Sequence, residues 1–291
     1  MPAAGRELGA GREFAYTEQD FERVRGMIYA RAGIRLEASK FNMVYSRLSR
    51  RLRALSLSSF RAYLDLLDAD DAQEWQPFTN ALTTNLTSFF REPHHFEVME
   101  RYLAEHGRRG AKFRIWSAAC STGEEAYSIA MRVVEHFNSW TPPVQIIASD
   151  LDTTCLDTAA AGVYPLARLE NLPPAQLKRF FMRGRGANEG KARVRQDVRR
   201  LVEFQQLNLL SNAYPVEGVF DIIFCRNVMI YFDKVTQRKV VERLAARLRP
   251  DGLYFAGHSE SLLHVSDTLK LVGQTVYAHA EQAEHMKRIY R

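Results

Sequence analysis

Apolar residues recur at helical spacing over the first third of the chain. Thr17 and Asp20 form a capping-box pattern, and apolar residues follow at intervals of three and four up to Gly33. Further segments with the same period follow at about 41–55, 60–67 and 75–86. The pattern predicts an all-helical N-terminal domain over 17–90. It is preceded by a lead over 1–16, which we expect to be disordered and which lacks the apolar core of a secretory signal.

Beyond residue 110 the pattern changes to short apolar runs separated by amphipathic helices. The predicted strands are 112–118, 144–149, 202–208, 220–225, 253–258 and an antiparallel pair within 269–280. Alternating strands and helices predict an α/β fold whose mostly parallel sheet is covered on both faces. Ligands of such sheets bind beyond the carboxyl ends of the strands.

One segment, 163–200, interrupts this alternation and is rich in Pro, Arg and Gly. Gly184, Gly186 and Gly190 lie there between two short strand-like runs. No strand–loop–helix surrounds this G-x-G spacing, so a hairpin insertion is favoured over a phosphate loop.

The composition is that of an ordinary globular protein, with 46% hydrophobic and 25% charged residues among 291. No apolar run reaches the roughly 20 residues of a membrane-spanning helix. Three cysteines without paired spacing argue against a disulfide framework and indicate a reduced, cytoplasmic setting. The net charge of +6 is concentrated in two basic segments, 40–61 and 178–200. They indicate nucleic acid or acidic protein partners, or simply solvated faces.

Polar side chains follow several of the predicted strands. The loop SAACSTGEEAYS after the first strand has a single glycine, and Glu124 and Glu125 begin the next helix. These carboxylates stabilise the helix dipole or suit a ligand with a positive centre, and they make a poor pyrophosphate site. Asp150 ends the second strand. It is equally suited to accept ribose hydroxyls and to cap the next helix, a role that Asp152 could also fill.

Asn208 follows the third strand, and Arg226 and Asn227 follow the fourth. A guanidinium beside a buried strand must be paired, so Arg226 is either a structural ion-pair partner or a ligand contact. Together these strand ends outline one nucleoside pocket. His94 and His95 are sequence neighbours and cannot chelate together, so no metal site is predicted. The stretch GHSES lacks the final glycine of a nucleophile elbow.

Six strings resemble the chemotaxis receptor glutamate O-methyltransferases, the CheR family, in order and over about residues 17–282. They are NLTSFFREPHHF, WSAACSTGEEAYSIAM, ASDLDT, FMRGRGANEG, FDIIFCRNVMIYFD and LRPDGLYFAGHSESL. The resemblance implies a class I methyltransferase domain over 91–291 that binds S-adenosyl-L-methionine and releases S-adenosyl-L-homocysteine. It also implies a small β-subdomain at 163–200 and a helical domain that docks the receptor.

The resemblance assigns roles by position. Arg91 and Tyr231 correspond to the pair near the transferred methyl. The implied cofactor contacts are Asn85, Thr87, Arg91, Glu125, Asp150, Asn208, Leu209, Arg226 and Asn227. The implied receptor-docking residues are Arg47, Arg50, Arg51, Arg53, Gly184, Gly186 and Gly190.

The expected partners are the cytoplasmic helices of chemoreceptors and, through the β-subdomain, their C-terminal tail. We expect a monomer that neither binds nucleic acid nor inserts into membranes. Two rival functions stay open, a nucleic-acid methyltransferase and a non-catalytic adaptor that binds S-adenosylmethionine. Against the first, the fourth strand ends in CRNVMIY instead of the Pro-Pro-aromatic turn that is typical of base-amine methylases.

Overall fold

The computed structural model describes residues 12–69, 72–107 and 112–290. The chain divides into two compact units. The helical unit runs to Thr84 and includes Tyr231–Asp233, and the sheet unit comprises Asn85–Ile230 and Lys234–Arg291. The boundary therefore lies six residues before the predicted one at 90, and one short later segment belongs with the helices.

The helical unit is built from amphipathic helices that bury their apolar faces against one another. They are α1 (Glu18–Ala32), α2 (Phe41–Ala54), α3 (Phe60–Asp68) and α4 (Ala72–Leu82). Thr17 and Asp20 form the predicted capping box, and Gly33 ends α1 with a φ of 67°. Val24, Val44 and Phe60 are fully buried in the core, so the predicted all-helical domain is confirmed.

Part of the predicted disordered lead is packed, within residues 12–16. Tyr16 is buried, and its ring lies 4.4 Å from the rings of both Phe41 and Phe60. Phe14 is buried as well. The prediction of disorder is wrong for the part that carries Phe14 and Tyr16, because their aromatic rings gain apolar contacts on the helices, while Glu13 and Ala15 are exposed. Residues 1–11 of the lead lie outside the described residues.

The strands of the main sheet lie at the predicted apolar runs, except that the strand predicted at 253–258 begins five residues earlier, at Leu248, and ends at Phe255. In chain order the strands of the sheet unit are β1 (Phe113–Ser117), β2 (Val144–Asp150), β3 (Val163–Pro165), β4 (Phe181–Arg183), β5 (Lys191–Val194), β6 (Val202–Gln206), β7 (Phe220–Phe224), β8 (Leu248–Phe255), β9 (Leu269–Gly273) and β10 (Val276–His279). In the described part of the chain, seven of them form one sheet in the order β6-β2-β1-β7-β8-β10-β9. The first five in this order pair in parallel, and β10 and β9 are antiparallel, as predicted.

The strand order reverses beside β1, whose neighbours are β2 and β7. A crevice forms beyond the carboxyl ends of strands at such a reversal. Every residue of β7 is buried, as expected for a central strand covered on both faces. The helices of this unit are α5 (His94–His106), α6 (Glu124–Phe137), α7 (Thr153–Ala161), α8 (Pro174–Phe180), α9 (Gln196–Arg199), α10 (Lys234–Ala245) and α11 (Ala283–Tyr290). No described helix has the length and apolar character needed to cross a membrane.

The segment between α7 and β6 contains a second, smaller antiparallel sheet in the order β3-β5-β4. The β4–β5 hairpin contains Gly184, Gly186 and Gly190. Gly186 and Gly190 have positive φ angles of 57° and 78°. A side chain at Gly184 would place its Cβ 2.0 Å from the carbonyl oxygen of Asn188. The glycines therefore form a tight turn, and the predicted β-subdomain is confirmed.

Candidate functional site

The loop after β1 turns sharply into α6. Ser121 has a φ of 48° and Gly123 a φ of 94°. A Cβ at Gly123 would lie 2.7 Å from the Cβ of Ala159, so glycine is required there by both backbone and packing. The turn aims the amide of Ser121 at the neighbouring strand end, where it donates to Asp150 Oδ2 at 2.7 Å. One glycine is enough for this loop.

The two acids after β2 have separate tasks. Asp152 is the N-cap of α7, since its Oδ1 accepts from the amides of Thr154 at 2.9 Å and Cys155 at 3.2 Å. Its Oδ2 accepts from Asn85 Nδ2 at 2.7 Å. Asp150 accepts from two amides, those of Ser121 and Asp152. Because the capping role belongs to Asp152, Asp150 can accept further hydrogen bonds at the edge of the sheet.

Asp150 lacks a neutralising cation among its hydrogen-bond partners in the described structure. Burial outweighs the hydrogen bonds from the amides of Asp152 and Ser121 and raises the pKa of the Asp150 carboxyl to about 6. The residue as a whole is only partly buried. A ligand that donates hydroxyl hydrogens to this group stabilises its ionised form.

Arg226 lies at the centre of a buried ion cluster, and its side chain is 2% exposed. Its Nη1 is 2.9 Å from Glu125 Oε2, and its Nη2 is 3.2 Å from Glu92 Oε2. Nη2 also donates to the carbonyl of Arg91 at 2.6 Å. The ion-pair interpretation of Arg226 is thus confirmed, and it joins the ends of β1 and β7 to the segment before α5.

Arg226 is the guanidinium that both carboxylates share, and Arg91 Nε lies 3.9 Å from Glu92 Oε1. Ser117 Oγ donates to Glu125 Oε1 at 2.7 Å, so that carboxylate is bonded on both oxygens. Burial raises the pKa of Glu92, but the Arg226 charge and the hydrogen bonds from His258 and Asn227 outweigh it and lower the pKa overall. Breaking a buried pair of this kind costs about 3–5 kcal/mol, since it leaves an uncompensated charge.

Glu260 is a positioning residue that the sequence did not reveal, since two of its backbone partners, Asn227 and Met229, lie in a distant loop. Its carboxylate accepts from the amides of Gly257 at 2.6 Å, Asn227 at 2.8 Å and Met229 at 2.7 Å. Asn227 has a φ of 58°, a conformation that this carboxylate helps to hold. Glu260 therefore ties the loop after β8 to the loop after β7.

The segment 85–91 lies against the strand ends. Asn85 contacts Asp152 as described, and its carbonyl accepts from Ser121 Oγ at 3.2 Å. Arg91 Nη1 donates to the carbonyl of Leu86 at 2.9 Å, and the Arg91 side chain is 35% exposed. Thr87 is partly buried. Asn85 therefore joins Asp150, Glu125 and the Arg226 cluster at one edge of the sheet.

Asn208 and Leu209 follow β6. The side chain of Asn208 accepts from the amide of Leu210 at 2.9 Å, and Leu209 is buried. Tyr231 belongs to the helical unit, where its carbonyl accepts from the amide of Arg35 at 2.9 Å. Contacts of these three residues with a cofactor or substrate stay predictions.

His94 and His95 begin α5 and contact one turn of the sheet. His94 Nε2 lies 3.1 Å from the carbonyl of Gln274, and His95 Nε2 lies 2.8 Å from Thr275 Oγ1. Burial and the nearby Arg226 charge lower the pKa of His95 to about 2, so its ring is neutral. The described residues contain no group of three or more His, Cys, Asp or Glu placed to hold a metal ion.

Three of the four arginines predicted to dock a receptor are engaged within the helical unit. Arg47 donates to the carbonyl of Thr83, and Arg53 pairs with Glu13 at 2.6 Å. Arg51 grips Glu74 with two hydrogen bonds of 2.8 and 2.7 Å. Arg50 is exposed. The four arginines are therefore not all available to a partner protein, because three of them stabilise the helical unit through contacts within it.

Chemically, the sheet edge offers acids at the places where a nucleoside ligand would need them. Asp150 provides carboxylate oxygens for hydroxyl donors at the end of β2. Glu125 and Glu92 share the Arg226 guanidinium, and Arg91 Nε lies 3.9 Å from Glu92 Oε1. Of these three acids, Asp150 is therefore the one without a cationic partner in the described structure. Such a site favours a cationic ligand over a pyrophosphate. These features fit a nucleoside that carries a positive centre.

Comparisons with known proteins agree with this chemistry. Two family models match, "CheR methyltransferase, all-alpha domain" over residues 19–83 and "CheR methyltransferase, SAM binding domain" over residues 85–278. The chain is 55% identical over 269 residues to "Chemotaxis protein methyltransferase 2" of Pseudomonas aeruginosa, covering 92% of this chain and 96% of the relative. It is 51% identical over 266 residues to the "Chemotaxis protein methyltransferase" of Escherichia coli, covering 91% and 92%.

Solved structures give a weaker likeness. A TehB-like SAM-dependent methyltransferase from Corynebacterium glutamicum aligns with a TM-score of 0.31 and 17% identity, covering 65% of this chain and 70% of that one. PKMT2 from Rickettsia typhi in complex with AdoHcy aligns with a TM-score of 0.35 and 16% identity, covering 60% and 26%. At these TM-scores the likeness carries no argument.

Proposed function

The chain belongs to the CheR family of chemotaxis methyltransferases, and we propose from this premise that glutamate side chains of chemoreceptors accept the methyl group. Membership of the family shows S-adenosylmethionine-dependent methyl transfer in chemotaxis. In the proposed reaction the product on the receptor is a glutamyl methyl ester, and S-adenosylhomocysteine is the other product. We further propose that the protein works in the cytoplasm as a monomer.

The observation that carries the proposal is the set of acids at the sheet edge. S-Adenosylmethionine supplies an electrophilic methyl group on a cationic sulfonium. Asp150 would accept hydrogen bonds from its ribose hydroxyls. Glu125, which Ser117 and Arg226 hold in place, would lie with Asn85 and Asn227 around the other parts of the cofactor. The remaining proposed cofactor contacts are Thr87, Arg91, Asn208, Leu209 and Arg226. The acids match the positive charge of the cofactor.

The acceptor needs little activation. A glutamate side chain has a reference pKa of about 4.3 and is ionised at neutral pH, so no general base is required. The residues of the site instead align the carboxylate and exclude water from it. Arg91 donates one of its N–H groups to Leu86 and has others for a carboxylate, which a guanidinium can hold bidentately. We assign to the Tyr231 hydroxyl a role in aligning the same acceptor carboxylate.

Receptor docking is assigned to two places. On α2, Arg50 is the residue best suited to meet acidic receptor helices, because it is exposed while Arg47, Arg51 and Arg53 hold contacts within the unit. In the β-subdomain, β4 is an edge strand of the β3-β5-β4 sheet. An extended receptor tail could add to such an edge as a further strand. Arg50→Glu should slow receptor methylation most at low salt and leave cofactor affinity unchanged.

A labelling experiment tests the function against its rivals. The protein is incubated with S-adenosylmethionine tritiated on the methyl group and with either receptor-rich membranes or RNA. We expect label on receptor protein that mild base releases as methanol. Label on RNA alone would support a nucleic-acid methyltransferase, and no label with any receptor would support a non-catalytic adaptor; either result overturns the proposal.

A further inference from the structure

The β-subdomain is fastened to the loop that follows β1. Arg168, in the turn after β3, places its Nη1 2.6 Å from Glu124 Oε1 and donates to Thr122 Oγ1 at 3.1 Å. Thr122 Oγ1 donates in turn to Glu124 Oε2 at 2.6 Å. Tyr164, within β3, donates its hydroxyl hydrogen to the carbonyl of Thr122 at 2.7 Å. Two side chains of the insertion thus hold both the backbone and the side chains of this loop.

The fastened residues lie between two groups of the cofactor pocket. On one side, the amide of Ser121 binds Asp150. On the other side, Glu125 binds Arg226. A shift of the three residues between them changes the position of both groups. Both Ala159 and Tyr164 lie close to this loop, since a Cβ added at Gly123 would be 2.7 Å from the Cβ of Ala159 and 3.1 Å from the hydroxyl of Tyr164.

The charge of Glu124 makes the contact with Arg168 consequential. The Glu124 side chain is 0% exposed, whereas that of Arg168 is 47% exposed. Among the described residues, Arg168 is the cation that pairs with this carboxylate. Without the guanidinium, Glu124 would be a buried unpaired carboxylate, which is costly. The loop would have to rearrange to bring this carboxylate to water or to another partner.

We propose that Arg168 and Tyr164 are positioning residues that hold residues 121–124 in the shape that binds S-adenosylmethionine. The β-subdomain is then energetically coupled to the cofactor pocket, and the coupling is reciprocal, so cofactor binding also stabilises the subdomain. The inference rests on cofactor binding by this family and is independent of which group accepts the methyl.

Calorimetric titration with S-adenosylhomocysteine tests it without any methyl acceptor. Loss of a charge-assisted hydrogen bond should weaken binding by Arg168→Ala roughly tenfold. Arg168→Lys, which keeps the charge, should recover most of the affinity. The matched control is Arg200→Ala in the same insertion, where Arg200 is 67% exposed and pairs with Asp197 at 3.7 Å; its affinity should stay within about twofold of the parent. Amide hydrogen exchange at 121–124 should be faster in Arg168→Ala and in neither other variant.

Two results would overturn the inference. One is an unchanged Kd in Arg168→Ala. The other is a reduced number of binding sites per chain at unchanged Kd, which is the mark of a purely structural role. If Arg168→Ala does not fold, Tyr164→Phe decides, because it removes only the hydroxyl group; it should raise the Kd a few-fold, and an unchanged Kd would again refute the role. Absence of glutamate labelling would leave these titrations unaffected, so the two proposals fail separately.

Discussion

At the scale of single residues, the carboxyl groups of the sheet unit differ in what compensates their charge. Glu125 and Glu92 face the Arg226 guanidinium. Glu260 is bound by backbone amides, and burial is the main cause that raises its pKa. Asp150 is bound by two amides. The carboxylates that are paired with a guanidinium hold the loops in place. Asp150 is bound by backbone amides without a cation, as expected of a carboxylate that binds the hydroxyl groups of a ligand.

Cofactor affinity should therefore depend on pH through Asp150. Its pKa of about 6 in the free protein should be lowered when ribose hydroxyls bind the ionised form. Affinity for S-adenosylhomocysteine is then constant above pH 7 and falls as the pH drops through 6, to roughly tenfold weaker at pH 5. Calorimetry over pH 5–8 measures this. In Asp150→Asn the affinity should be weaker at pH 8 and nearly independent of pH; a profile parallel to that of the parent would contradict the assignment.

Arg91→Lys separates two roles for the exposed guanidinium. The substitution keeps the charge but loses the planar fork that binds a carboxylate bidentately. We expect kcat to fall at least about tenfold while the Kd for S-adenosylhomocysteine stays within about twofold, since alignment of the acceptor is lost. Steady-state kinetics with receptor membranes and calorimetry give the two numbers. An equal loss in both would place Arg91 on the cofactor instead.

At the scale of elements, two neighbouring acids have different roles: Asp152 caps a helix, and Asp150 is the proposed contact with a ligand. Asp152 caps α7. The residue at the N-cap of α6 is glycine, Gly123, because a side chain there would collide with Ala159. The sequence indicated helices at these places but could not say which of Asp150 and Asp152 was the cap. That choice depends on where each carboxylate points after β2 has paired with β1 and β6.

Replacing the cap should affect stability. Asp152→Ala removes the acceptor for two amides and should lower the free energy of unfolding by about 0.5–2 kcal/mol. Asp157→Ala, at an exposed position of the same helix, is the control and should change it by less than about 0.5 kcal/mol. Urea unfolding monitored by circular dichroism measures both. Equal effects would show that Asp152 does not act as a cap.

The β4–β5 hairpin should be needed mainly for the receptor tail. In Gly184→Val the new side chain would meet the carbonyl of Asn188, so the turn must open. Binding of a synthetic receptor-tail peptide should then weaken strongly. Affinity for S-adenosylhomocysteine should fall less than in Arg168→Ala, because Tyr164 pairs with Ala192 of β5 but keeps its own contact with Thr122. Ala187→Val, at an exposed tip position, is the control. Unaltered peptide binding in Gly184→Val would count against docking at this hairpin.

At the scale of the whole molecule, local patterns predicted the order of helices and strands, because each apolar run carries its own period. Contacts between distant segments could not be predicted in this way. Glu92 meets Arg226, Glu260 holds Asn227, and Arg168 holds Glu124, across separations of many tens of residues. From the sequence one can infer that a buried charge such as Arg226 must be paired, but not which residue is its partner.

The proposed acceptor atom is a glutamate carboxylate oxygen. Peptide mapping by mass spectrometry tests it most directly, after the purified protein has methylated a chemoreceptor cytoplasmic fragment with S-adenosylmethionine. We predict added methyl groups on glutamate residues of the receptor helices, lost on mild base treatment with release of methanol. Methyl groups that resist base, or that lie on lysine, arginine or cysteine side chains, would contradict the account.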